Sequence, residues 1–228
     1  MDNYLQRGSY SIDILELGSG SVGLASLAAG LSVTGYMHQH QRHTQTELHF
    51  NHTSTFHIIK CDVTLTDSDP HVLQQLEYNV HTMTLKLQNH YSNQYTIPEF
   101  RVRHLDWDNV DNEYQDIYTS DNHNGLKLVI GSELVYNVNT ARSCAKMILQ
   151  LLQNHPNTFI LLVNNVHRDG WETIFLSTIY KTPGIHYVLE ALHNCHLHHI
   201  ASNLIRPGGT LNPLSDFGVC CIWQDVTV

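Results

Sequence analysis

Residues 11–23 read Ser-Ile-Asp-Ile-Leu-Glu-Leu-Gly-Ser-Gly-Ser-Val-Gly, and this stretch decides the fold. The apolar run at 11–17 has strand character and turns at once into Gly18-Ser19-Gly20-Ser21-Val22-Gly23. Residues 24–31 (LASLAAGL) follow, small and apolar at helical spacing. Strand, glycine turn and helix in that order open a doubly wound α/β sheet. A ligand can approach backbone closely only where Cβ atoms are absent, and a helix N-terminus adds free N–H groups. A tight turn with no ligand would use the same glycines. Glu16, just before the first glycine, suits a ligand with a cationic portion better than a diphosphate.

The alternation continues down the chain. A second strand is expected at 61–66 (CDVTLT), ending at Asp67, and Pro70 is placed to start a helix carrying Val72, Leu73, Leu76 and Val80. Further strands are expected at 100–105, 126–130 and 159–163, and helices at 141–152 and 171–180. The tail offers 188–192, 198–204 and 218–224, with Pro207-Gly208-Gly209 as a turn. Residues 36–57 are rich in His, Gln, Thr and Asn, and read as an inserted polar loop. No repeat is visible, so residues 1–228 are expected to form a single domain.

Asp67 closes the second strand, where a doubly wound fold binds ribose hydroxyls. As an alternative it caps the helix that begins near Pro70, a role for which Asp69 competes.

Composition removes some classes. Lys+Arg 12 against Asp+Glu 21 gives a formal charge of −9, which argues against phosphate-backbone binding and is compatible with a basic protein substrate. The five cysteines have no CxxC spacing, which fits neither a disulfide framework nor a zinc ribbon and suits a reducing compartment. No apolar run approaches a bilayer span, so no membrane partner is expected. Histidines cluster at His38, His40 and His43, and at His193, His196, His198 and His199 beside Cys195. They are read as compositional bias, against a zinc or copper site, and no metal is expected.

Four segments taken together carry a resemblance. Glu16-Leu-Gly-Ser-Gly, Val63-Thr-Leu-Thr-Asp67 with Leu76-Glu-Tyr-Asn79-Val80, Leu105-Asp-Trp107, and Ile130-Gly-Ser-Glu133-Leu-Val-Tyr136 occur in this order. The set resembles the seven-β-strand (class I), S-adenosylmethionine-dependent protein lysine methyltransferases that act on non-histone proteins, over about residues 12–168. The resemblance implies a mostly parallel, Rossmann-like, seven-stranded sheet with helices on both faces. It also implies S-adenosylmethionine as cofactor. Gly18, Ser19 and Gly20 would lie against its methionine portion, with Asp67 on the ribose. Trp107 would pack on the adenine, Asp106 would accept from the adenine amino group, and Ser132 would line the cleft. Glu133 and Tyr136 match an acidic-x-x-aromatic motif near the methyl-accepting nitrogen. Each also has a plainer reading: Trp107 as a core or rim residue, Tyr136 as packing, Ser132 as an N-cap.

Two departures from the family pattern are visible. The glycine turn is about two residues short, which bears on how snugly the methionine carboxylate is held. Some eleven residues precede the first strand and include no tryptophan, where the family carries an N-terminal cover; the chain reads as a divergent or N-terminally short member. The expected activity is methyl transfer to a lysine of a protein such as an elongation factor, ribosomal protein or chaperone. The expected molecule is a monomer in the cytoplasm, or also the nucleus, with no nucleic-acid partner. Glu133 would attract and orient the cationic amine and Tyr136 would bound its channel; a nearby carboxylate raises an amine's pKa, so water or desolvation would serve the deprotonation. A catalytically silent methyltransferase-like binding module and an NAD(P)-dependent Rossmann oxidoreductase are the alternatives. The second leaves Asp106-Trp107 and Glu133-x-x-Tyr136 without a purpose.

Overall fold

The computed structural model describes residues 9–23, 25, 27–33, 57–90, 97–109, 126–191 and 217–224. Its seven strands are β1 (Ser9–Leu17), β2 (His57–Asp67), β3 (Glu99–His104), β4 (Leu126–Ser132), β5 (Thr158–Asn165), β6 (Ile185–Ala191) and β7 (Phe217–Gln224). They form one mixed sheet in the order β3-β2-β1-β4-β5-β7-β6, which makes the doubly wound, Rossmann-like class explicit. The described helices include α1 (Pro70–His90), α2 (Val138–Asn154) and α3 (Ser177–Lys181). The described chain falls into two compact units.

In the first unit β1, β2 and β3 run parallel, and on β1 and β2 apolar residues are interleaved with buried polar ones. Ile14, Leu15 and Leu17 on β1, and Cys61, Val63 and Leu65 on β2, are buried. The helix expected after the glycine turn is present at residues 27–33, with Leu27 and Gly30 buried. Helix α1 begins at Pro70 as expected and buries Leu76 and Val80, while Val72 and Leu73 are half-exposed. Gly23 shows why this corner tolerates no side chain. Its φ is +58°, and an added Cβ would sit 2.3 Å from Leu65 Cδ2 and 2.9 Å from Leu76 Cδ1.

One face of this unit is polar, and sequence reading passed over it. Asp13 and Asp62 lie in register on β1 and β2, both buried. Lys60 Nζ donates to Asp62 Oδ2 at 2.6 Å, Arg101 reaches Asp62 at 3.8 Å, and Arg101 also pairs with Glu99 at 2.8 Å. Burial lowers the pKa of Lys127, at the start of β4, and the nearby charge of Asp13 works against that shift. Buried carboxylates persist only with such partners.

The second unit takes in β4 from Leu128 onward, with α2, β5, α3, β6 and β7. β7 pairs antiparallel with both β5 and β6. On β5 the alternation places Ile160, Leu162 and Asn164 inside. Helix α2 starts from Asn137, whose side chain accepts from Asn139 N and Thr140 N, while the Thr140 hydroxyl closes a capping box. Its buried residues are Ala141, Cys144, Ala145, Met147, Ile148, Leu151 and Leu152; Leu149, expected on that face, is only half-buried. The helix expected at 171–180 is different in kind. Trp171–Leu176 is a single π-helical turn, in which Phe175 N donates to Gly170 O at 2.9 Å, and only Ser177–Lys181 is α-helical. The wider turn stacks Trp171 on Phe175 with ring centroids 4.9 Å apart and buries both.

The inserted loop at 36–57 lies outside the described residues except for His57, and both histidine clusters and the Pro207-Gly208-Gly209 turn lie outside them altogether. Among the described residues, no group of His, Cys, Asp and Glu is arranged to hold a metal ion, and no helix is long and apolar enough to cross a membrane. The described cysteines, Cys61, Cys144, Cys220 and Cys221, carry no disulfide. Burial pushes the Cys61 and Cys220 thiols up to about 12 and Cys144 higher still.

Two outcomes follow from this packing. Gly23→Ala is expected to lose about 2–4 kcal/mol of stability, from left-handed strain plus overpacking, read from the urea midpoint. Iodoacetamide at pH 8 is expected to leave Cys61, Cys144 and Cys220 unlabelled in native protein and to label them only after denaturation, as mapped by mass spectrometry of the peptides.

Candidate methyl-donor and acceptor site

The glycine turn of the first unit is pinned to the end of β2 from both sides. Ser19 N donates to Thr66 O at 2.7 Å, and Thr66 N donates back to Ser19 Oγ at 3.1 Å. The buried Thr66 hydroxyl donates to Glu16 O at 2.6 Å. Gly20 N donates to Asp67 Oδ2 at 3.1 Å, and from α1 the Asn79 amide donates to Ser21 O at 2.8 Å. Gly18 and Gly20 have φ of 58° and 59°, so the turn needs residues without a Cβ penalty. A Cβ placed on Gly20 would meet nothing within 4 Å, so this glycine is not there to make room for protein packing. Bare backbone beside open space is the cradle expected for a ligand.

Glu16, Gly18, Ser19, Gly20 and Asp67 therefore come together, as expected. Glu16 is buried, its Oε2 3.7 Å from where a Gly23 Cβ would stand. The competing role for Asp67 goes to its neighbour: Asp69 Oδ1 accepts from His71 N at 2.8 Å and caps α1. Asp67 instead accepts Gly20 N on Oδ2 and Asp69 N on Oδ1, the latter at 3.1 Å. A carboxylate has about four acceptor directions, so one remains on each oxygen.

The second unit holds the other expected residues. Leu105 is buried, and Asp106 and Trp107 are half-buried in the turn after β3. Asp106 accepts from Asn109 N through its carbonyl and from Asp108 N through Oδ1, which fixes the turn carrying the indole. The Ser143 hydroxyl donates to Asp108 and ties the same turn to α2. Ser132 is exposed at the end of β4 and is not an N-cap, since Asn137 takes that role.

Glu133 is the one non-glycine with positive φ among the described residues, at 55°. Holding such a residue costs of order 1–3 kcal/mol and needs surrounding support. Glu133 N donates to Val163 O at 2.9 Å, and Asn165 N donates to Glu133 Oε1 at 2.6 Å. Arg168 Nη2 lies 3.1 Å from Oε2 and Nε 3.4 Å from it. The loop that follows is held by Asn164, buried at 1 % exposure, whose amide accepts from Val135 N at 3.0 Å and donates to Val135 O at 2.9 Å. Tyr136 N donates to Thr140 Oγ1 at 3.2 Å, and the Tyr136 ring is 57 % exposed, so it is not core packing.

Sequence reading missed Thr66, Asn79, Asn164, Thr140 and Arg168. Thr66 and Asn79 lay inside the quoted segments without a role. The pair Asn164-Asn165, closing the apolar run 159–163, was a visible signal: an amide at the buried end of a strand must bond something.

The seven-stranded sheet is the Rossmann-like fold of the solved methyltransferase domains. A family model described as lysine methyltransferase matches residues 2–182, and the chain belongs to that family. Its cofactor is S-adenosylmethionine, and the turn, with open space over Gly20 and acceptor capacity left on Asp67, fits that group. The nicotinamide-dependent oxidoreductase reading is set aside by this membership. No curated protein sequence matches the chain. Among solved structures, the delta-N METTL16 MTase domain superposes with a TM-score of 0.50 at 9 % identity, covering 95 % of this chain and 75 % of that one. A second crystal form of the METTL16 MTase domain gives 0.50 at 9 %, with 95 % and 61 % covered. The human methyltransferase 10 domain containing protein gives 0.48 at 9 %, with 96 % and 74 % covered. At this identity the likeness speaks of fold alone.

Asn164→Leu is expected to strand both polar groups of Val135 and to cost about 2–4 kcal/mol in urea unfolding. Thr140→Val, which spares Asn164, is expected to cost about 1 kcal/mol, through the loss of the capping box.

Proposed function

We propose that this methyltransferase acts on the side-chain nitrogen of lysine in a protein substrate. The observation that carries the reading is the pairing of an acidic residue and an exposed aromatic, Glu133 and Tyr136, on one tightly bonded loop after β4. The lysine methyltransferase description of the family supports it, as does the formal charge of −9, which favours cationic over phosphate-bearing acceptors.

Bound S-adenosylmethionine supplies a methyl group already activated on a sulfonium, so the protein's contribution is positioning. The backbone at Gly18, Ser19 and Gly20 approaches the methionine portion without side chains in the way. Glu16 stands behind it as a negative charge. Asp67 would hold the ribose hydroxyls, with acceptor capacity left beyond its two backbone donors. On the family resemblance, Trp107 would supply an apolar face for the adenine, Asp106 would accept from its amino group, and Ser132 would line the cleft. On the acceptor side, Tyr136 walls the channel and Glu133 orients the amine. A lysine begins with a pKa near 10.4, and a carboxylate beside it raises that value. Glu133 is therefore an orienting group, and the proton leaves to water. The buried thiols of Cys61, Cys144 and Cys220 accord with a reducing compartment, and the reading includes a monomer in the cytoplasm or nucleus.

Purified protein incubated with labelled methyl donor and a cell lysate is expected to label a protein band on lysine. Label on nucleic acid or on a small molecule would refute the reading. Asp67→Ala is expected to weaken S-adenosylhomocysteine binding roughly 10- to 100-fold, the worth of hydrogen bonds to a charged acceptor, as measured by calorimetry.

A further inference from the structure

The two oxygens of Glu133 are engaged in different ways. Oε1 accepts a backbone N–H, that of Asn165, at 2.6 Å. Among the described residues Oε2 receives only the guanidinium of Arg168, with Nη2 at 3.1 Å and Nε at 3.4 Å. The first partner is fixed in the strand end. The second is the tip of a long side chain, and both partners are reached by solvent, Arg168 at 48 % and Glu133 at 33 % exposure. The root of Arg168 is rigid: its N–H donates to Asn165 O at 3.2 Å, and its carbonyl accepts from Trp171 N at 3.1 Å. The guanidinium is thus delivered to Oε2 from a fixed point but held there only by an exposed ion pair.

An exposed pair of this kind contributes little to stability, so an arriving cation can take the place of the guanidinium. If Glu133 orients a cationic amine, Oε2, the oxygen not held by the strand end, is where that amine would exchange with the Arg168 guanidinium. Oε1 stays on Asn165 throughout, so the left-handed backbone of Glu133 survives the exchange. We propose that Arg168 is a specificity-determining residue for the acceptor: its guanidinium masks the Glu133 carboxylate and yields to the ammonium of an incoming lysine. The exchange makes and breaks no covalent bond. A neutral side chain cannot displace the guanidinium and gains nothing from Glu133, so Arg168 turns a general negative site into one that requires a cation. This inference rests on the lysine reading above.

The test uses the full chain saturated with S-adenosylhomocysteine, titrated by NMR with the peptide Ala-Ala-Lys-Ala-Ala and with its norleucine counterpart. In the unmutated protein the Arg168 side-chain Nε resonance is expected to shift with the lysine peptide and not with the norleucine one. Arg168→Met, which keeps the stem and removes the charge, is expected to bind the lysine peptide about 3- to 10-fold more tightly, with no change for norleucine. Arg142→Met removes the same charge from an exposed position on α2 and is expected to change neither. Glu133→Gln combined with Arg168→Met is expected to abolish the gain. An unmoved Arg168 resonance in the unmutated protein, equal effects from Arg168→Met and Arg142→Met, or weaker lysine-peptide binding by Arg168→Met would each overturn the inference. Lysine methylation by the unmutated protein is measured alongside. If it occurs while the Arg168 results fail, only this inference falls; if it is absent, the acceptor reading falls with it.

Discussion

The hydrogen bond from Gly20 N to Asp67 is the constraint on which the donor half of the molecule depends. It joins two residues 47 positions apart and makes the glycine turn and the acidic end of β2 a single object. The reciprocal Ser19–Thr66 pair and the Asn79 amide hold the same turn from either side. Backbone in left-handed conformation is costly to leave unsupported, and here supports from β2 and α1 add to the Gly23 N to Ser19 O bond within the turn itself. The shortened turn is therefore not a loose one. What it lacks in length is made up by contacts to neighbouring elements.

The acceptor half is organised by the same logic with different residues. Glu133 departs from ordinary backbone geometry at the end of β4, and the end of β5 receives it through Val163, Asn164 and Asn165. Its carboxylate is partly structural, since one oxygen is committed to a backbone N–H. That changes the meaning of the acidic-x-x-aromatic motif in this chain. The acid is a clamp, with Oε1 on the Asn165 N–H and Oε2 on the Arg168 guanidinium. Tyr136 is exposed, while Asn164 and Thr140 satisfy the backbone around it.

Much of the fold was legible from residues because the strands are apolar runs broken by glycine, proline and polar connectors. Residues 11–17, 61–66, 126–130 and 159–163 all fall within observed strands, and Pro70 starts its helix. The π turn at Trp171–Leu176 was not legible, since its periodicity differs from an α-helix by one residue in a turn of six residues. The residues of the donor turn were legible through the types that turn chemistry demands. Arg168 was not: it lies 35 positions from Glu133, and only the β4–β5 geometry brings them together. The buried row of Asp13, Asp62 and Lys127 was also hidden, because charged residues in a strand read as surface until a partner is seen.

The central claim is that the bare turn and Asp67 together hold the methyl donor. Titration of 15N-labelled chain with S-adenosylhomocysteine, followed at the backbone amides of Gly20, Ser21 and Asp69, tests it most directly. The account predicts saturable shifts at these amides with S-adenosylhomocysteine and none with NAD. Amides that stay in place while the ligand binds elsewhere, or that respond to NAD alone, would contradict it.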